Sequence, residues 1–133
     1  MLMIMTTKAL TIDTFEQAVT QNDIVIVDFW AAWCGPCRAF APVFEAASET
    51  HSDIVFAKVD TEAEQQLAAG FQITSIPTLM IFRENVIVFS QAGALPAAQL
   101  EQLIAGVRAL DMNEVRAQIA AQESGERSDG AQV

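Results

Sequence analysis

Cys34 and Cys37 are the only cysteines of the chain, and two residues separate them in the stretch WAAWCGPCRAF, residues 30–40. That spacing serves metal binding, a structural disulfide or reversible redox exchange. A closed zinc site takes about four ligands. Besides the cysteines the chain offers one histidine, His51, which lies beyond the helix expected after Cys37 and reads as a surface residue near its end. A metal would therefore have to be shared between two chains. A static disulfide closing so small a loop would constrain the unfolded chain little. Redox exchange has a mechanism here. Cys34 falls at the start of the expected helix, where unpaired N–H groups and the positive end of the macrodipole favour a thiolate. Cys37 follows about one turn later, within reach for a disulfide. It continues an apolar stripe with Phe40 and Phe44, so an exposed attacking thiol beside a sheltered second one is expected. Gly35 lets a partner's backbone approach, and Pro36 suits a first helical turn, where its missing N–H is not needed.

The elements that must hold this pair are legible in outline. Ile24–Trp30 is nearly all apolar and β-branched, the pattern of a strand covered on both faces. The cysteine segment follows at once and opens a helix to about Thr50, with Cys37, Phe40, Phe44 and Ala47 on one side and a kink expected at Pro42. Upstream, Ala9–Ile12 reads as a first strand, and Asp13 and Glu16 have capping-box spacing for a helix over Thr14–Thr20. Downstream, Ile54–Asp60 is a strand, and Thr61 and Glu64 form a second capping box before a short helix that Gly70 stops. Thr78–Phe82 and Val86–Ser90 flank a short turn and make an antiparallel hairpin. Pro96 starts a helix to about Leu110. The order βαβαβαββα implies an α/β fold with a mixed five-stranded sheet flanked by helices. This domain spans residues 1–110. A third capping box, Asp111 and Glu114, announces an extra helix over Met112 to about Gln122. The Gly- and Ser-containing end, residues 123–133, reads as a flexible polar tail.

Composition bounds the partners. The net charge is −10, with seven Lys and Arg against seventeen Asp and Glu. A basic patch for nucleic acid or for an anionic membrane surface is not available. No apolar run approaches the roughly 20 residues of a membrane helix. The opening MLMIMTTKAL has neither a basic start nor a small-residue cleavage site, so it is not read as a signal peptide. The expected compartment is then the cytoplasm, where stable structural disulfides are rare.

Asp28 interrupts the apolar strand on the same side as Ile24 and Ile26. A covered sheet would bury it, which is costly for an unpaired carboxylate and raises its pKa. Equally, it could turn toward solvent or cap the next helix. Lys58 lies in a strand expected beside it, and a lysine there ordinarily snorkels to water. Phe15, Phe29 and Trp30 read as core.

The stretch VDFWAAWCGPCRAFAP resembles the active-site segment of the thioredoxin family, and so do the strand ending in Lys58-Val-Asp60, SIPTLMIF and GALP. The likeness runs from about Lys8 to Leu110. It implies the thioredoxin fold and a protein-disulfide reductase whose Cys34 attacks and whose Cys37 resolves, through a redox-active Cys34–Cys37 disulfide. It also implies that Asp28 is a buried proton acceptor and that Lys58 tunes it. Ile76 and Pro77 correspond to a cis-proline loop, and Trp33, Gly35, Pro36, Gly93 and Ala94 to the other walls of a groove for extended, disulfide-containing protein substrates. The expected recycling partner is an NADPH-dependent thioredoxin reductase. The chain carries no nucleotide-binding glycine fingerprint, so no bound cofactor is expected. A disulfide oxidase or isomerase, or a binding module docking through the C-terminal extension, would use the same scaffold. Ala32, Arg38, Thr74-Ser75 and Glu84-Asn85 depart from common family residues, and the first and third of these bear on partner preference.

Overall fold

The structure, a computed structural model, describes residues 6–131, with side chains as far as residue 124. The elements are β1 Thr7–Ala9, α1 Phe15–Thr20, β2 Ile24–Trp30, α2 Gly35–Thr50, β3 Val55–Asp60, α3 Gln65–Gly70, β4 Thr78–Arg83, β5 Val86–Ala92, α4 Ala97–Arg108 and α5 Met112–Ala131. The apolar strand β2 lies at the centre of the sheet, whose order is β1-β3-β2-β4-β5. It runs parallel to β3 and antiparallel to β4. The mixed sheet matches the expectation from the strand–helix alternation.

Alternation along β2 divides the core in two. Ile24 and Ile26 pack with Phe40 and Phe44 of α2, Phe56 of β3 and Leu100 and Ile104 of α4. Val25, Val27 and Phe29 pack on the other face with Phe15 and Val19 of α1 and Leu67 of α3. Phe44 and Phe56 meet edge to face at 5.3 Å. Truncating either to alanine costs about 3–5 kcal/mol through lost transfer energy and the cavity left behind. The helix that carries the cysteines is therefore fixed to the sheet along its whole apolar stripe.

Several ends differ from expectation, each for a local reason. The first strand comes earlier than Ala9–Ile12 because the chain turns off the sheet edge at Thr11. The Thr11 N–H donates to the Thr14 hydroxyl, and the Phe15 N–H donates to the Thr11 carbonyl. The Asp13–Glu16 capping box is not formed: Thr14 takes the cap position and its side chain makes no capping bond. The Thr61–Glu64 box is not formed either. Asp60 accepts from the N–H of Glu62, the Thr61 hydroxyl donates to the Trp30 carbonyl, and α3 begins only at Gln65. Gly70 ends α3 as expected, but the left-handed step falls on Gln72, at φ 57°. Pro96 occupies the cap of α4 rather than its first turn.

At the C-terminal end Asp111 does cap, accepting from the N–H groups of Asn113 and Glu114. The helix then passes the expected end at Gln122 and reaches Ala131. The flexible tail expected over 123–133 is thus corrected to helix as far as Ala131, and residues 132 and 133 lie outside the described residues. Ala117, Gln118, Ala120, Ala121, Gln122 and Glu123 are good helix formers. Propagation from a formed turn adds one hydrogen bond per residue. Polarity here marks a helix in water. Its first turns are tied down: Met112 is buried, Arg116 bonds Glu84 at 2.6 Å, and the Arg83 Nη1 donates to the carbonyls of Val107 and Leu110 at 2.7 and 2.8 Å.

Candidate active site

The site forms where β2 ends and α2 begins. Cys34 is the N-cap of α2, in extended conformation, with Gly35 and Pro36 in the first turn. The Cys37 N–H donates to Cys34 Sγ at 3.2 Å, and the Arg38 N–H donates to the Cys34 carbonyl at 3.1 Å. A sulfur capping a helix receives the donors that a helix leaves free, which favours its thiolate. In this structure the two sulfurs are joined as a disulfide, with the Cα atoms 5.2 Å apart. Contrary to expectation, Cys34 is nearly as covered as Cys37, at 5% and 3% exposure. Cys34 and Cys37 form a small buried cluster with Ala31, against which Trp30 and Ile76 pack. The Ile76 carbonyl oxygen lies 3.7 Å from Cys34 Sγ.

Asp28 is buried, at 1% exposure, and neither carboxylate oxygen has a hydrogen-bond partner among the described residues. The solvent-facing alternative is excluded by its place in the central strand, paired with Lys58 of β3 on one side and Leu79 of β4 on the other. Loss of water pushes its pKa up to about 6, while the charge of Lys58 pulls in the opposite direction. Lys58 makes no ion pair with Asp28 among the described residues. Its Nζ stands 4.7 Å from the centroid of the Trp30 ring, a cation–π contact. Trp30 is half-buried, with the Lys58 ammonium over its ring, rather than plain core.

The expected groove residues fall into linked loops. Ile76–Pro77 is cis. The Pro77 carbonyl accepts from the Gly93 N–H at 2.8 Å, which joins the loop before β4 to the loop after β5. Gly93 has φ 109°, a conformation that L side chains rarely adopt. Ala94 and Pro36 are exposed, and a Cβ built on Gly35 would meet only open space. Trp33 is 66% exposed, and its Nε1 donates to Glu62 Oε1 at 2.7 Å. The sequence reading missed Glu62, and only this long-range contact reveals it. His51 stands apart from the site at the end of α2, bonded to Glu101 and Arg108. Among the described residues no group of three or more His, Cys, Asp and Glu is placed to hold a metal ion.

A mixed sheet that presents a helix-capping cysteine, bonded to a second cysteine one turn on, defines a dithiol–disulfide exchange protein. The Thioredoxin family model matches residues 6–106. A Streptomyces coelicolor protein that carries a thioredoxin name is 56% identical over 118 residues, covering 89% of this chain and 88% of that protein. The thioredoxin of Alicyclobacillus acidocaldarius is 43% identical, over 76% of this chain and 97% of its own. Among solved structures, Plasmodium falciparum thioredoxin superposes with a TM-score of 0.70 at 38% identity, covering 75% of this chain and 98% of that one. A mutant thioredoxin from Halobacterium salinarum reaches a TM-score of 0.73 at 28% identity, over 84% of this chain and 99% of that one. The chain belongs to the thioredoxin family. It is a thiol–disulfide oxidoreductase, a protein-disulfide reductase whose redox couple is the Cys34–Cys37 pair. Among the described residues no helix is long and apolar enough to cross a membrane.

Proposed function

We propose the following division of labour. In the reduced protein the Cys34 thiolate attacks one sulfur of a target disulfide. The target's S–S bond breaks, a mixed disulfide with Cys34 forms, and the other target sulfur leaves as a thiolate that takes up a proton. Cys37 then gives its proton to the Asp28 carboxylate and attacks Cys34 Sγ. The mixed disulfide breaks, the second target thiolate leaves, and two electrons have passed from the dithiol to the target. Lys58 keeps the pKa of Asp28 from rising further. Trp33, Gly35, Pro36, Ile76, Pro77, Gly93 and Ala94 line the groove that receives the target segment. An NADPH-dependent thioredoxin reductase returns the electrons, in the cytoplasm.

The observation that carries this reading is the hydrogen bond from the Cys37 N–H to the Sγ of the capping Cys34. It supports giving Cys34 the stabilised thiolate and leaving Cys37, whose sulfur has no such donor among the described residues, to be deprotonated by a base. Insulin reduction driven by dithiothreitol tests it. Wild type should accelerate precipitation of the insulin B chain, and Cys34→Ser should abolish the acceleration. Cys37→Ser should stall as a mixed disulfide with the target, visible on a non-reducing gel. An active Cys34→Ser variant, or trapping by Cys34→Ser instead of Cys37→Ser, would overturn the assignment.

A further inference from the structure

We propose that Arg38 is a positioning residue that acts on Cys34 through the Ala32 carbonyl, holding the loop before Cys34 against the first turn of α2 when the disulfide is reduced. The inference rests on the reading of Cys34 as the attacking thiolate. Arg38 Nη1 donates to the Ala32 carbonyl at 3.2 Å. Residue 32 precedes the cysteine pair and residue 38 follows it, so the bond brackets the whole CGPC turn. No other hydrogen bond among the described residues joins residues 31–33 to α2. Arg38 is exposed and has no carboxylate partner among the described residues, whereas Arg83, Arg108 and Arg116 lie against Asp23, Asp53 and Glu84. Its guanidinium is committed to a main-chain carbonyl instead.

Three successive carbonyls lead into the site, and each has a donor. The Trp30 carbonyl accepts from the Thr61 N–H and hydroxyl at 2.9 and 3.0 Å, and the Ala31 carbonyl accepts from the Cys34 N–H at 3.2 Å. The Ala32 carbonyl has only Arg38 among the described residues. Ala32 is exposed and has no side chain beyond Cβ with which to anchor itself. Reduction changes what holds Cys34. In the oxidised protein a covalent bond joins it to Cys37, and the first turn adds the Cys37 N–H on its Sγ at 3.2 Å and the Arg38 N–H on its carbonyl at 3.1 Å. In the dithiol the covalent tie is gone and only the hydrogen bonds remain. Cys34 is an extended N-cap, so its sulfur meets the Cys37 N–H only while the backbone ahead of it keeps its direction. The Arg38 bond fixes that direction from the helix side. Its contribution falls mainly on the dithiol, because in the oxidised form the disulfide already closes the same turn. A residue that stabilises the reduced form makes the couple more oxidising.

The test compares wild type, Arg38→Met and Arg38→Lys in three measurements. These are the exchange equilibrium with the glutathione couple, the ultraviolet absorbance of the Cys34 thiolate against pH, and the backbone ¹⁵N resonance of Trp33, whose amide follows the Ala32 carbonyl, in the reduced protein. Arg38→Met keeps an apolar stem and removes the donor. It should shift the equilibrium about two- to tenfold toward the disulfide, the range for one hydrogen bond, which makes the potential about 9 to 30 mV more negative. The thiolate absorbance should rise at higher pH, and the Trp33 resonance should move. Arg38→Lys keeps an N–H donor and should return most of all three. The shift in Arg38→Met should persist in about 1 M NaCl, since a bond to a neutral carbonyl does not act through long-range charge. An unchanged equilibrium and thiolate titration in Arg38→Met overturn the proposal. An unmoved Trp33 resonance, or a shift that vanishes at high salt, overturns it in favour of charge alone. Recovery of the Trp33 resonance in Arg38→Lys without recovery of the equilibrium also overturns it. Each of these failures leaves Cys34 as the attacking thiolate, which Cys34→Ser tests separately in insulin reduction; an active Cys34→Ser variant removes that reading and the role of Arg38 with it.

Discussion

Replacing Asp28 with asparagine should stabilise the protein in a way that depends on pH. The substitution preserves shape and removes the only titrating group buried in the central strand. Asp28 is 1% exposed, its two oxygens lack hydrogen-bond partners among the described residues, and desolvation pushes its pKa from 3.8 to about 6. At about 1.36 kcal/mol per pKa unit, ionised Asp28 destabilises the folded state by about 3 kcal/mol once the pH exceeds the folded value. The sign follows from proton binding. Between about pH 4 and about pH 6 the folded chain keeps a proton that the unfolded chain has released, so wild-type stability falls as pH rises through that window. Below it both states are protonated, and above it both are ionised. The asparagine side chain does not titrate. The stability advantage of Asp28→Asn over wild type should therefore grow by about 3 kcal/mol from acid to mildly alkaline pH. Urea unfolding of both oxidised proteins across that range measures it, provided the m-values agree. A pH-independent difference, or an asparagine variant less stable than wild type at neutral pH, refutes the argument. The same substitution should slow insulin reduction and remove the rise in rate near pH 6 that a carboxylate acceptor imposes.

Other substitutions probe neighbouring parts of the argument. Lys58→Met removes the charge that opposes desolvation at Asp28, so the inflection of both the stability and the rate profile should move to higher pH; a downward move would show that Lys58 acts otherwise. Arg83→Ala should destabilise by about 1–3 kcal/mol, because the Val107 and Leu110 carbonyls lose their donor. Denaturation midpoints read this directly, and an unchanged midpoint would mean that water replaces the guanidinium without loss. Deleting the chain after Leu110 should lower stability by about 2 kcal/mol through exposure at the buried Met112 site, without changing insulin reduction. A fall in activity in the folded, truncated protein would give α5 a part in function.

What could be read from the sequence was local. The Cys34–Cys37 pair acts over one turn of helix, so its spacing and the apolar stripe through Phe40 and Phe44 suffice to describe it. The run Ile24–Trp30 announces a central strand because both its faces are covered. Asp13 with Glu16 and Thr61 with Glu64 had the right spacing and failed as caps. At these points the chain turns to meet other elements, and Thr11, Asp60 and the Trp30 carbonyl take part in the bonds that close those turns. The adjacency of Lys58 and Asp28 could be anticipated, but the side-chain bonds made across the sheet and between loops could not. Nothing near Trp33 points to Glu62, and nothing in a strand containing Lys58 says that its ammonium rests on Trp30. The low exposure of Cys34 also depends on a distant loop, the one carrying Ile76.

In the proposed mechanism these non-local contacts decide how the second step runs. A thiol with an ordinary pKa near 8.5 yields its proton poorly to a carboxylate near 4. Burial brings Asp28 to about 6 and so narrows that gap. A contact ion pair with Lys58 would reverse the gain, since an adjacent ammonium favours the ionised acid. The register sets Lys58 directly beside Asp28 on the same face, so such a pair is within easy reach of a flexible side chain. The Trp30 ring offers the ammonium another partner at 4.7 Å. Lys58 is thereby near enough to moderate Asp28 through space without neutralising it as a base. In the proposed mechanism, the instability that Asp28 brings to the central strand is the same property that equips it to accept a proton from Cys37.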